Sequence, residues 1–337
     1  MNLTKMDVFK NILNSKKYSI KNNSEICFAP INIALIKYWG KSNEELNLAI
    51  TPSLSISSSI LGTKTQIFIS NKDEIIINNM NIDGETFERI FGFVNLWRKA
   101  INLNRYLKIV SQNNVPTASG LASSASGFSA LTLALNDLLS LNLSQNELSI
   151  LARIGSGSAC RSVFKDSRFA IWNGDFAEPF SFSSKAKTIT NEIELLIFIL
   201  DKNSKKISSR EAMRITKQTW QDGKNYDYEL WLKQTKHDFY AIQTVNNWQE
   251  FGKIVEQNSL LMHKAITTAG IDYFNEKTKI MLKFVKNCRA DNLFVYLTID
   301  AGANVVLIYQ KKDETKLLQA ISDLENNLKI ELKKIKF

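Results

Sequence analysis

PTASGLASSASG, residues 116–127, carries five hydroxyl side chains and three Gly or Pro residues in twelve positions. Tyr106 to Ser111 precedes it with strand character. Phe128, Leu131, Leu135 and Leu138 follow it at helical spacing. Small residues between a strand and a helix let backbone amides approach a ligand closely. The helix N-terminus behind them favours negative charge. Two readings fit these residues: a cradle for phosphates, or a tight loop whose small side chains serve packing alone. A Walker loop is excluded, because no Gly-Lys-Ser/Thr follows at the required spacing.

At 337 residues, with 44% hydrophobic and 23% charged, the chain has an ordinary globular balance and ample material for one large domain or two. Lys and Arg number 43 against 33 Asp and Glu, a formal charge of +10. Such a surplus favours anionic partners: nucleic acid, a membrane surface or phosphorylated metabolites. Much of the Lys is dispersed along amphipathic stretches as a solvated face. The terminal KKIKF (333–337) reads as a solubilised end. Cys27, Cys160 and Cys288 are an odd, widely spaced set. That argues against a disulfide framework or structural zinc and for a reducing compartment. His237 and His263 show no ligand spacing and are expected as surface or half-buried helix residues, so chemistry resting on a His base is not expected. No apolar core of signal-peptide length opens the chain. The most apolar run, Ile193 to Leu200, contains Glu194 and is too short to cross a bilayer. The expectation is a cytoplasmic protein without membrane contact.

Residues 26–39 form a long Ile-rich apolar run, and Ser53 to Ile60 alternates as a half-buried strand does. Lys64 to Ser70 and Glu74 to Asn78, split by three polar residues, read as a hairpin. Phe87, Ile90, Phe91, Val94, Trp97 and Ile101 mark a helix. A second helix runs from about Ser124 to Leu139. Ser144 and Glu147 form a capping box before the next apolar run, and Arg168 to Trp172 reads as a strand. After residue 190 the pattern becomes helix-rich. A strand at 193–200 is followed by helices at about 209–219, 226–244, 247–265 and 272–287. Strands at 293–299 and 304–309, a helix at 313–326 and a last short strand finish the chain. The expected architecture is therefore two α+β domains with a ligand between them.

Four segments concentrate polar, cationic or Gly residues beside apolar strands: 29–41, 116–127, 155–162 and 299–304. Each has a plain alternative. Lys37 can snorkel from a strand end. The Gly-Ser-Gly-Ser stretch at 155–158 can be a mere turn, although Arg161 behind it suits an anion. Asp300 before Ala-Gly can be an Asx-turn residue.

Taken together and in order, these segments resemble the mevalonate diphosphate decarboxylase family. It belongs to the galactokinase, homoserine kinase, mevalonate kinase and phosphomevalonate kinase superfamily. The matching residues are APINIALIKYWGK (29–41), SLS (53–55), PTASGLASSASGFSALTLAL (116–135), GSGSACRS (155–162), SSREAM (208–213) and IDAGANV (299–305). They run over most of the chain. The resemblance implies a two-domain kinase-superfamily fold of the α+β class. A ribosomal protein S5 domain 2-like, ATP-binding domain (1–188) would precede a ferredoxin-like domain (189–337). It implies ATP-dependent decarboxylation of (R)-5-diphosphomevalonate to isopentenyl diphosphate, in the mevalonate route of isoprenoid biosynthesis. It also implies a homodimer, with small-molecule partners rather than nucleic acid.

The resemblance further implies residue roles. Asp300 matches the aspartate that takes or orients the proton of the C3 hydroxyl. Lys37 matches the lysine beside it and ATP. Arg161 would bind substrate anions, and Ser209 matches a substrate-facing serine placed with the catalytic group. Asn32, Tyr38, Lys41, Ser156, Ser158, Arg210 and Met213 match the substrate pocket. Pro116, Ser119, Gly120, Leu121, Ala122, Ser123, Ser124, Ala125 and Ser126 would wrap the ATP phosphates. Ser124 would be a contact for Mg²⁺ held mainly by phosphates and water. Ala303 stands where many members have proline, which predicts a looser turn. The stretch before the first motif is longer than usual in the family. Competing readings are a phosphomevalonate decarboxylase or mevalonate 3-kinase-type enzyme of the same fold and, more remotely, a basic RNA-binding protein. No segment interleaves basic and aromatic residues densely enough to favour the last.

Overall fold

A capping box starts the first helix. Thr4 Oγ1 accepts from the Asp7 amide while the Asp7 carboxylate accepts from the Thr4 amide, and Lys5–Leu13 (α1) follows. The computed structural model describes residues 3–115, 123–201 and 206–337. Cys27–Ile36 (β1) is the Ile-rich run, and its last eight residues are buried. Next come a small ribbon of Lys41–Asn43 (β2) and Leu48–Ala49 (β3), then Ser53–Ser70 (β4). The two strand segments expected at 53–60 and 64–70 are one 18-residue strand, which β1 accompanies in antiparallel register with shifts along the way.

The expected hairpin between 64–70 and 74–78 does not form. Glu74–Ile77 (β5) pairs antiparallel with Met80–Asn81 (β6), and Gly84–Ile101 (α2) then carries the chain back across the sheet. Tyr106–Asn113 (β7) lies between β4 and β5, antiparallel to the first and parallel to the second. Asp73 holds this arrangement. Its carboxylate takes both terminal nitrogens of Arg98 on α2, at 2.5 and 3.1 Å, and the Leu107 amide of β7 at 2.9 Å. The crossover helix allows β7 to insert where a local hairpin would have placed β5. Ser123–Leu138 (α3), Gln145–Gly155 (α4), Phe169–Trp172 (β8) and Ala177–Pro179 (β9) complete a seven-stranded sheet and its helical cover. The capping box expected at Ser144 and Glu147 is present.

Ser184–Thr190 (α5) leads into a second, four-stranded antiparallel sheet. Its order is Tyr296–Ile299 (β11), Val305–Gln310 (β12), Ile193–Phe198 (β10), Lys334–Lys336 (β13). Ser209–Gln221 (α6), Tyr226–Ala241 (α7), Trp248–Thr268 (α8), Glu276–Ala290 (α9) and Glu314–Leu328 (α10) supply its helices close to the expected spans. α9 starts four residues later than expected, because the Asn275 side chain caps it by accepting from the Thr278 amide.

One apolar core is shared by the two sheets. It joins Ile31, Ile33 and Leu35 of β1 to Ile193, Leu195 and Ile197 of β10 and to Phe251 and Val255 of α8. Burying each such side chain is worth roughly 1.5–3 kcal/mol, so the walls of any cleft between the halves are held by packing rather than by a linker. Among the described residues no helix is long and apolar enough to cross a membrane. All three cysteines are free.

Candidate active site

The chain leaves the buried face of β1 at Lys37, whose side chain is 2% exposed. Its Nζ lies 2.6 Å from Oδ1 of Asp300, just past the end of β11, and that carboxylate is 32% exposed. The pair is asymmetric: the cation is sealed in, and the anion opens on a cleft. Burial pushes the Lys37 pKa below its ordinary value, while Asp300 works against that fall. A carboxylate backed by an ammonium and facing a cleft is placed to accept a hydroxyl proton.

The cleft encloses about 420 Å³, and both halves of the chain line it. Every expected catalytic and substrate residue is there: Lys37, Asp300, Arg161, Ser209, Asn32, Tyr38, Lys41, Ser156, Ser158, Arg210 and Met213. Five cations face two carboxylates along its walls. That imbalance suits a ligand with several negative charges.

Arg161 is a buried cation of the cleft wall. A short 3-10 turn, Gly157–Arg161, aims it inward. Its Nη2 and Nε lie 3.2 and 3.4 Å from Asn32 Oδ1, Nη1 donates to Ser53 Oγ, and Trp172 stacks beside it. Asn32 Nδ2 in turn donates to Ser162 Oγ at 2.7 Å, which fixes the amide's orientation. None of the described carboxylates forms a salt bridge with Arg161. Burial lowers its pKa, and a guanidinium so enclosed calls for an anion.

Tyr38 packs on Trp172 with ring centroids 4.8 Å apart, and its hydroxyl is a buried group with no hydrogen-bond partner among the described residues. Gly157 makes this possible, because a Cβ there would sit 2.6 Å from the Tyr38 hydroxyl. Gly157→Ala is expected to push the ring out of the cleft and raise KM for the substrate about tenfold or more, with KM for ATP changed less. Unchanged substrate KM in steady-state assays is the contrary result.

Ser123 and Ser124 open α3 and also line the cleft. Ser124 Oγ lies 3.3 Å from Ser156 Oγ, which joins the start of α3 to the 155–162 segment. Ala125 and Ser126, expected to face ATP, turn their side chains into the protein. Ser126 Oγ pairs with Thr63 Oγ1 at 2.8 Å. The helical turn is the reason, since about 100° per residue sends only part of a four-residue run toward one side. Pro116, Ser119, Gly120, Leu121 and Ala122 lie outside the described residues. The turn at Ala303 is tied at both sides. Thr278 donates to the Ala303 carbonyl at 2.7 Å, and Asn304 Oδ1 accepts from the Leu200 and Asp201 amides.

Sequence reading missed Glu85 and Arg89 on α2, which also line the cleft. They occupy the polar side of an amphipathic helix and look like a solvated face. Desolvation and the neighbouring Arg210 lower the Arg89 pKa, and Arg210 is 121 positions away in sequence. His263 corrects another expectation: it is 4% exposed, packed on Phe274 behind the site. Its Nε2 lies 3.3 Å from the Ile299 carbonyl and 3.2 Å from that of Asp300. Both neighbours are acceptors, so Nε2 carries the proton. Burial, reinforced by Lys37, brings its pKa from 6.5 down to about 4. The stability contributed by neutral His263 is thus complete above pH 6.5 and lost as pH falls through 4, on the order of 3 kcal/mol. The wild-type Tm is expected to fall more steeply over that window than the Tm of His263→Phe. Equal slopes contradict the assignment.

Known proteins align with both halves. The family model described as a diphosphomevalonate decarboxylase-like N-terminal domain matches residues 29–183. The one described as a mevalonate 5-diphosphate decarboxylase C-terminal domain matches residues 195–335. Diphosphomevalonate decarboxylase of Saccharomyces cerevisiae is 32% identical over 331 residues, covering 88% of this chain and 80% of that one. The crystal structure of mevalonate diphosphate decarboxylase from Staphylococcus aureus is similar at a TM-score of 0.83 and 30% identity, covering 94% and 95% of the two chains. MDDEF in complex with MVAPP, AMPPCP and magnesium is similar at 0.80 and 35% identity, covering 89% and 93%.

Proposed function

We propose, because this chain belongs to the diphosphomevalonate decarboxylase family, that its cleft converts ATP and (R)-5-diphosphomevalonate to isopentenyl diphosphate, carbon dioxide, ADP and phosphate. The observation that carries this reading is the Lys37–Asp300 pair at 2.6 Å, set in a cleft whose other charges are mostly cations. A tertiary alcohol is a crowded, weak nucleophile, so positioning and proton removal decide its rate. Asp300 takes the C3 hydroxyl proton as that oxygen bonds to the γ-phosphorus and the bond to ADP breaks. The C3–O bond then breaks and phosphate departs. The electrons of the C1–C2 bond form the new double bond, and carbon dioxide leaves. The proton held by Asp300 passes to the departing phosphate, and the carboxylate so restored stabilises the positive charge that develops at C3.

The other residues bind and orient. Arg161, fixed by Asn32 and Ser53, grips the substrate's carboxylate and keeps its C1–C2 bond in position to break. Tyr38, Lys41, Ser156, Ser158, Arg210 and Arg89 surround the diphosphate, Ser209 faces the reacting end, and Met213 supplies apolar wall. Burial lowers the Lys41 pKa, but Glu44 at 3.1 Å opposes the shift and helps keep it a cation. Ser123, Ser124 and the α3 N-terminus face the ATP phosphates.

Magnesium accompanies the ATP analogue in the MDDEF complex. Among the described residues here, no group of three or more His, Cys, Asp or Glu forms a metal cage. Hydroxyl donors at Ser124 and Ser156 fit an ion held chiefly by phosphate oxygens and water. Bound there, it would neutralise phosphate charge.

Carbon dioxide release from mevalonate, its 5-phosphate and its 5-diphosphate, each with ATP, tests the substrate. Release from the diphosphate alone is expected, and release confined to the monophosphate overturns the reading. A homodimer belongs to the same proposal, with sedimentation velocity as its check.

A further inference from the structure

Three polar side chains on α8 are fully or almost fully buried: Asn258, Ser259 and His263, at 0%, 0% and 4% exposure. Buried polar groups destabilise a core unless they are paired, and apolar residues fill such places more simply. Here all three pair with the main chain immediately behind the reacting groups. Asn258 Oδ1 accepts from the Lys37 amide at 2.9 Å. Ser259 Oγ accepts from the Ile299 amide at 2.9 Å and donates to the Ile299 carbonyl at 3.1 Å. His263 Nε2 donates to the Ile299 and Asp300 carbonyls. None of the three lines the cleft.

We propose that Asn258, Ser259 and His263 are positioning residues: α8 clamps the backbone behind Lys37 and behind Asp300, and so fixes their contact across the boundary between the two halves. Lys37 comes from the first half and Asp300 from the second. A contact made by two side chains from different sheets needs both strand ends held in one frame, and α8 supplies that frame. The frame is itself locked. Asn258 Nδ2 donates to Thr235 Oγ1 at 3.0 Å and to Asp238 Oδ2 at 2.9 Å, and Asp238 Oδ1 accepts from Gln234 on α7 at 2.7 Å. With both amide hydrogens committed there, Oδ1 has one orientation left, toward Lys37. Ser259 and His263 sit one turn apart and grip successive carbonyls of the segment that ends in the reacting carboxylate. The neutral state of His263 suits this work, because a single Nε2–H reaches two carbonyls.

This inference rests on the reading of Asp300 as the proton acceptor, and its test separates the two. His263→Phe keeps a ring beside Phe274 and removes the donor. It is expected to lower kcat by about 10- to 100-fold, with KM for ATP and for diphosphomevalonate within about threefold of wild type. His263→Gln, whose amide nitrogen reaches the Nε2 position, is expected to restore most of the loss. A merely structural histidine gives neither the split between kcat and KM nor the rescue. Unchanged kcat in folded His263→Phe, or equal loss in the Phe and Gln variants, overturns the proposal. Should His263→Phe not fold, Ser259→Ala, which removes one hydroxyl, is read by the same kcat and KM criteria. Should the wild-type protein not turn over diphosphomevalonate, the functional reading fails. Crystal structures of wild type and variant then decide the positioning claim alone. A Lys37–Asp300 distance that lengthens in the variant supports it, and an unchanged distance refutes it.

Discussion

Asp300→Asn is expected to lower kcat by about 10³-fold or more while KM for ATP stays close to wild type. The amide keeps the size and the acceptor oxygen of the carboxylate but can no longer take a proton. It also strips the buried Lys37 ammonium, 2% exposed, of its paired charge. An unpaired buried ammonium is unfavourable, so the pKa of Lys37 falls further and the residue tends toward neutrality. Two losses therefore coincide: the proton acceptor for the C3 hydroxyl, and a fixed cation behind it. Nucleotide affinity is the control, because Asp300 is not among the groups proposed to face the ATP phosphates, Ser123, Ser124 and the start of α3. Steady-state kinetics and nucleotide titration check both parts. A kcat within tenfold of wild type removes Asp300 from the chemistry.

Arg161→Ala is expected to reduce kcat/KM for the substrate by an amount equivalent to about 2–4 kcal/mol of transition-state stabilisation. The side chain is 2% exposed and makes no salt bridge among the described residues, so on the proposed reading the substrate supplies its countercharge. Removing it strands the Asn32 carbonyl oxygen and the Ser53 hydroxyl, which loosens the pocket as well as discharging it. Arg161→Lys is expected to rescue little. One ammonium cannot hold Asn32, Ser53 and an anion in the fixed fork of a guanidinium. Rescue above half the wild-type kcat/KM by lysine would show that charge alone matters there.

Residues near one another in sequence were legible in proportion to how local their physics is. The capping box at Ser144 depends on three neighbours and forms as read. The strands at β1, β10 and β12 announce themselves by apolar runs that no helix pattern rivals. Failure began where partners are distant. The segment at 74–78 has every local mark of a hairpin arm, yet β7, returned by α2, takes the place beside β4. No pattern within 64–78 encodes that competition. Arg89 and Glu85 look like a solvated helix face because the wall that turns them into cleft residues, Arg210 among it, comes from the other half. Asn258, Ser259 and His263 are polar interruptions of an amphipathic helix until the main chains of Lys37 and Asp300 are brought against them. The motif residues escaped this limit because their order and spacing resemble a family, whose fold stands in for the missing distances.

The proposed chemistry turns on the Lys37–Asp300 pair that lines the cleft. On the proposed mechanism, hydroxyl phosphorylation and decarboxylation occur together at this site. A single-turnover experiment tests it most directly, with enzyme in excess over diphosphomevalonate labelled at C1 and with ATP. ADP formation and release of labelled carbon dioxide are followed in the same samples. Equal amounts of both are expected from wild type, with both steps slowed in parallel in Asp300→Asn. Full ADP formation without carbon dioxide, or carbon dioxide without ADP, overturns that coupling.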